Sequence, residues 1–183
     1  MVERTGAELT KPGGLQVEAP TAMGKLEAGL KKMNQSGAFD SFKASLNQAA
    51  TSVAPQTTAA LKAAIGPLTI DDASALFSGA PDSATRMMRK SAEAGLRTKL
   101  MPLISQAIAT NGTATKAKEV VAKAGPMAAM IGVPNTGDLE NHVLTQLLET
   151  TFGYLGKQEA TLRANPSQLK DSAATKVFSL GKK

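Results

Sequence analysis

Apolar residues recur every three or four positions along most of this chain, and no alternating run of strand length appears. Such spacing puts the apolar side chains of a segment on one stripe of a helix, whereas a half-buried strand alternates with a period of two. From Ala38 to Ile65, Phe39, Phe42, Leu46, Ala49, Ala50 and Val53 keep the helical spacing, and Leu61, Ala64 and Ile65 continue it beyond Pro55. A proline there kinks the helix or opens a second one. From Asp138, read as an N-cap, Val143, Leu144, Leu147, Leu148, Phe152, Leu155 and Leu162 cover one side of another long helix. His142, Gln146, Glu149 and Gly153 lie opposite. Gly153 and Gly156 have the small-residue spacing that lets another backbone come close. With aromatics at 3% and no Trp, the core must be built from Ala, Leu, Met and Val, which suits helix packing better than a sheet. The expected fold is all-α: a single-domain bundle of about six to eight helices, several kinked by proline.

The other segments fit the same scheme. Residues 1–20 are weakly patterned, and "KPGG" and Pro20 interrupt them, so an irregular N-terminal segment is expected ahead of a helical domain at 21–183. Met23, Leu26, Leu30 and Met33 share one side of a short helix, and "NQSG" is a turn. Thr69 with Asp72 caps another short helix, which Gly79 stops. Asp82 is expected to cap a helix reaching Ala109, with Ala84, Met88, Ala92, Gly95, Leu96 and Leu103 on one face and a bend at Pro102. A helix from Thr113 ends at Gly125-Pro126, "MAAMIGVPNTG" is irregular, and a last helix carries Leu169, Ala173, Val177 and Phe178.

Composition removes whole classes of chemistry. There is no cysteine and one histidine, so thiol catalysis and the usual zinc shells are excluded; no metal and no cofactor is expected. No apolar run reaches the roughly 18 residues of a membrane-spanning helix. "KPGG" and "SGAP" lack the ending of a phosphate loop and follow no strand, so they are turns. The net charge of +6 is compatible with peripheral contact with an anionic membrane.

Arg86, Lys90 and Arg97 fall on one helical face, with Arg89 beside them. They could hold a phosphate headgroup, or be a solvated face that Glu93 partly neutralises. No aromatic interleaves the stripe, so nucleic-acid binding is not expected. Met87, Met88, Leu148 and Phe152 could line an apolar ligand between helices, or simply fill the core. His142, Glu149 and Glu159 are the groups suited to acid–base work, but no nucleophile stands at a pairing distance in sequence. Glu159 and Arg163 make an ordinary i,i+4 pair. No catalytic residue is therefore assigned.

The blocks "LNQAATSVAP", "LTIDDASALFSGAPDSATRMM", "LRTKLMPLI", "QEATLRANP" and "KVF" occur in this order, and together they resemble the bacterial domain-of-unknown-function family number 4197. The shared positions are Asn47, Asp72, Gly79, Thr85, Lys90, Arg97, Pro102, Glu159 and Arg163. The chain departs from the family pattern at Thr51, where an acidic residue is usual, and at Met87 and His142, where an aromatic is common. The resemblance implies a periplasmic or secreted protein whose leader peptide has been removed, and it brings no established activity. The function expected is a non-enzymatic envelope protein holding a lipid or other amphipathic ligand between helices. The alternative is a structural or protein-interaction scaffold without a small ligand, and a hydrolase ranks third.

Overall fold

The computed structural model describes residues 1–65, 80–129 and 135–166. Among these residues there are seven helices and no strand, so the all-α, single-domain reading holds. They are α1 (Val2–Thr10), α2 (Thr21–Lys32), α3 (Ser36–Ile65), α4 (Ser83–Thr110), α5 (Thr113–Ala124), α6 (Pro126–Ala129) and α7 (Thr136–Ala164). The helices expected around Ile70 and Val177 lie outside the described residues.

Helix α3 is the hub, packing against α1, α2, α4, α5 and α7, while α4 also packs along α7. Every apolar residue predicted from Phe39 to Val53 is buried, as is Leu61. Phe39 and Phe42 meet edge to face, with ring centroids 6.2 Å apart. Pro55 and Pro102 lie inside continuous helices. Both face solvent, as do Thr51 and Thr98, whose carbonyls lose their intrahelical donor. Water can satisfy those carbonyls, so neither proline splits its helix.

The α7 stripe is buried as predicted from Val143 to Leu162. On α4 the buried stripe is Thr85, Ala92, Leu96, Leu100, Ile104 and Ile108. Gly95 is exposed and Leu103 only half-buried, because steps of four along this helix carry the stripe through Leu100 instead. Met33, expected with Met23, Leu26 and Leu30, lies past the end of α2 and is 45% exposed.

The N-terminal segment is not irregular throughout, since Val2–Thr10 is helical. A nine-residue helix is marginal in isolation. This one is held by packing on α3 and α7, with Leu9 fully buried. Gly6 permits the approach: a Cβ there would stand 2.6 Å from the Thr58 hydroxyl. The helix ends at Lys11, whose backbone is extended, and Pro12 follows. Asp138 is not the N-cap of α7. Asn135 is, and Asp138 is the third residue of a reciprocal capping box, each side chain accepting the other's amide at 3.0 Å.

Candidate functional site

Beyond α1 the chain runs without helix through residues 15–20, laid across the bundle like a strap. In an extended backbone the N–H and C=O of one residue point to the same side, and the next residue's point to the other. Two side-chain amides exploit this alternation. Asn47 of α3 accepts the Val17 amide at 2.8 Å and donates to the Val17 carbonyl at 3.2 Å. Gln146 of α7 accepts the Glu18 amide at 2.9 Å and donates to its carbonyl at 3.1 Å. His142 Nε2 lies 2.6 Å from that same carbonyl oxygen, and Lys43 pairs with the Glu18 carboxylate at 2.8 Å. Val17 is thereby sealed into the core. His142, expected at the surface, is half-buried and engaged.

The start of α4 is held from a distance. Asp82 occupies the N-cap position but makes no capping bond; its carboxylate accepts Arg86 Nε instead. That hydrogen bond with Arg86, opposed by a smaller desolvation effect, holds the Asp82 carboxyl below its ordinary value. The cap comes from Glu159 on α7. Its two oxygens accept the amides of Ala84 and Thr85 at 3.0 and 2.7 Å, and the Thr85 hydroxyl at 2.8 Å. Arg163 bonds to the same carboxylate at 2.6 Å and donates to the Ser83 hydroxyl at 2.9 Å. Glu159 is fully buried, so its pair with Arg163 is not the ordinary surface pair that the spacing implied. A buried carboxylate is tolerated when its oxygens are hydrogen-bonded and a cation is adjacent, and the positive end of a helix adds to both. Gly156 permits this crossing, because its Cβ position lies 3.3 Å from Asp82 Cβ; Gly153 meets nothing within 4 Å.

The basic stripe is less available than its spacing suggested. Arg89 and Arg97 both bond to Glu93, Arg97 also reaches the Thr145 hydroxyl at 3.2 Å, and Arg86 is held by Asp82. The Arg89 hydrogen bond to Glu93 outweighs burial and, with Arg97, lowers the Glu93 carboxyl below its ordinary value. Lys90 is exposed. The Arg89 guanidinium also covers the Phe152 ring at 5.5 Å, a cation–π contact. Leu148 is fully buried and Phe152 nearly so, whereas Met87 and Met88 are half-buried and Met88 packs on the core.

Clefts open elsewhere. One of about 790 Å³ lies between the strap and α3, bordered by Lys11, Gln16, Lys43, Gln48, Thr51 and Ser52. A second, of about 350 Å³, lies between α1 and α7, with Arg4, Tyr154, Lys157 and Leu162 in its wall. A third, of about 230 Å³, lies between α3 and α4, with Gln56, Leu103 and Asn111. None of the three includes Met87, Met88, Leu148 or Phe152. The strap, and the cleft it borders, are not visible in sequence; the one local signal is Asn47, whose reach to a segment 30 residues away leaves no periodic trace. Among the described residues no cluster of carboxylates and histidine could hold a metal ion, and no helix is long and apolar enough to cross a membrane.

Fold and clefts together define an all-α bundle with a docked N-terminal arm and open interhelical grooves. The chain belongs to the family described as protein of unknown function DUF4197, whose model matches residues 4–179. No curated protein and no solved structure matches it.

Proposed function

We propose that this is a non-enzymatic binding protein of the cell envelope that takes an amphipathic ligand in a surface groove beside its N-terminal arm. The observation that carries this reading is the pair of clefts beside that arm, the first of them preformed because Asn47 and Gln146 fix the strap. Prepaid ordering of a groove lowers the cost of binding. Engagement of two of the three groups suited to acid–base work supports the non-enzymatic part: Glu159 is committed to backbone amides and Arg163, and His142 lies against a carbonyl, while Glu149 is exposed on the helix surface. The envelope location rests on the family resemblance.

Organic extraction of the purified protein followed by mass spectrometry tests the reading, with protein prepared from more than one host. Recovery of a common amphipathic species in stoichiometric amount is expected; empty extracts from every host would refute it. The scaffold reading is favoured by one observation, the closed packing of Leu148 and Phe152 beneath Arg89. It would gain if extracts were empty and crosslinking in envelope fractions captured a protein on the same arm.

A further inference from the structure

We propose that the groove between α1 and α7 binds the phosphate or carboxylate of a ligand with an apolar stem, with Arg4 and Lys157 as its anion-binding pair. The inference rests on the groove-binding reading above and names the chemistry and the cleft.

The argument begins with the arginines. Arg86, Arg89, Arg97 and Arg163 each bond to a carboxylate. Arg4 makes no ion pair among the described residues, although Glu8 stands one turn along its own helix. Glu8 is held by Lys11 at 2.5 Å, and Glu3, next to Arg4, pairs with Lys62. A guanidinium is a planar fork of donors that matches the two oxygens of a carboxylate or phosphate, and here the fork is left facing a cleft. Lys157 enters the same cleft from α7, also with no carboxylate partner among the described residues. Its ammonium lies 6.0 Å from the centroid of the Tyr154 ring, which places the charge over the aromatic wall.

The neutral polar groups of the groove are already engaged. The Tyr154 hydroxyl donates to the Gly14 carbonyl at 2.7 Å, the Thr161 hydroxyl to the Lys157 carbonyl at 2.9 Å, and the Gln158 carboxamide bonds to Thr5. What remains for a ligand is two cations from different helices, one aromatic face and the Leu162 side chain at the base. Glu8 also borders the cleft; its pairing with Lys11 offsets its repulsion of an anion. Two cations above an apolar surface select an anionic head on a hydrocarbon stem over a neutral or cationic molecule. The same head occurs on a free metabolite and on a membrane phospholipid, and the test separates the two.

Titration of the full chain with octyl phosphate and octanoate, followed by amide chemical shifts or calorimetry, should show saturable binding. Arg4→Gln and Lys157→Gln should each weaken it by about tenfold, the size expected for loss of one charge-assisted hydrogen bond. Both side chains are exposed, so thermal unfolding should be unchanged and folding does not confound the result. Co-sedimentation with phosphatidylglycerol vesicles, absent with phosphatidylcholine vesicles and lost in the double variant, would assign the head to a lipid. Binding of the soluble probes without co-sedimentation would assign it to a free molecule. Equal affinity of the unaltered chain and the double variant would overturn this site while leaving the groove-binding reading intact. No binding of any probe would overturn the site too, and recovery of a different ligand by extraction would then show that the broader reading stands without it.

Discussion

Glu159 accepts the backbone amide of Thr85 at 2.7 Å across 74 residues of sequence. One carboxylate thus serves as the missing side-chain cap of a helix to which it does not belong, and it welds α7 to the start of α4. Truncation by Glu159→Ala would take from the amides of Ala84 and Thr85 their Glu159 acceptor and remove the buried carboxylate to which Arg163 bonds. Breaking a buried pair in this way costs about 3–5 kcal/mol, and urea unfolding should show a loss of that order. Asp82→Ala should cost far less, because Asp82 supplies no capping bond; equal losses would mean that Glu159 is not the effective cap.

The strap makes a local prediction. Asn47→Ala removes both partners of Val17, and Gln146→Ala removes both amide partners of Glu18. The first leaves part-buried groups without partners, at about 1–3 kcal/mol; the second should cost less, because the Glu18 groups are exposed and its carbonyl keeps His142. Hydrogen exchange should accelerate at Val17 in the first variant and at Glu18 in the second, with the α4–α7 contact protected in both. Uniform acceleration across the bundle would show that the strap does not open as a unit.

Acid should weaken the α4 surface through Glu93. Its carboxyl is depressed in the folded chain, chiefly by the Arg89 hydrogen bond. A depressed acid contributes stability that is fully present above the unfolded pKa, about 4.3 for Glu. That contribution is lost as pH falls through the lower folded value. Glu93→Gln should therefore flatten part of the acid limb of a stability-against-pH curve and leave its slope near neutrality unchanged. A curve parallel to that of the unaltered chain from pH 7 to the acid limit would contradict the assignment.

Glycine positions separate cleanly. Gly95 and Gly153 are helical, exposed and have nothing within 4 Å of a Cβ. Alanine at either should stabilise by about 0.5–1 kcal/mol, by limiting the unfolded chain and favouring the helix. A Cβ on Gly14 would stand 1.8 Å from the Glu8 carbonyl oxygen, so Gly14→Ala must displace the backbone at the end of α1. Thermal melts should move in opposite directions for the two kinds of substitution.

The long helices were legible because their stripes are repeated many times: Phe39 to Val53 and Val143 to Leu162 each give several turns of consistent spacing. The face of α4 is only partly legible because Gly95 and Leu103 fit the period locally, and only packing against α3 and α7 chooses between neighbouring registers. Helix α1 escaped notice because Gly6 and the "KPGG" that follows weaken a short pattern whose stability comes from α3 and α7. The roles of Asn47 and Glu159 were illegible for a different reason. Each bonds to main-chain groups remote in sequence, and main-chain groups carry no residue identity. Arg86, Lys90 and Arg97, with Arg89 beside them, share a stripe in which the i,i+4 partner Glu93 is visible from spacing alone; Thr145, 48 residues from Arg97, is brought within reach only by the fold.

Because Asn47 and Gln146 grip peptide groups, their hold on residues 17 and 18 does not depend on what side chains those residues carry. Val17 must still fill its place beneath the arm, but Gln16 can be exchanged without loosening the tether, and exchange of Glu18 gives up only its pair with Lys43. The border of the larger cleft is thus open to redecoration under a constant anchorage, so its chemistry can drift between descendants of one ancestor while the frame stays the same.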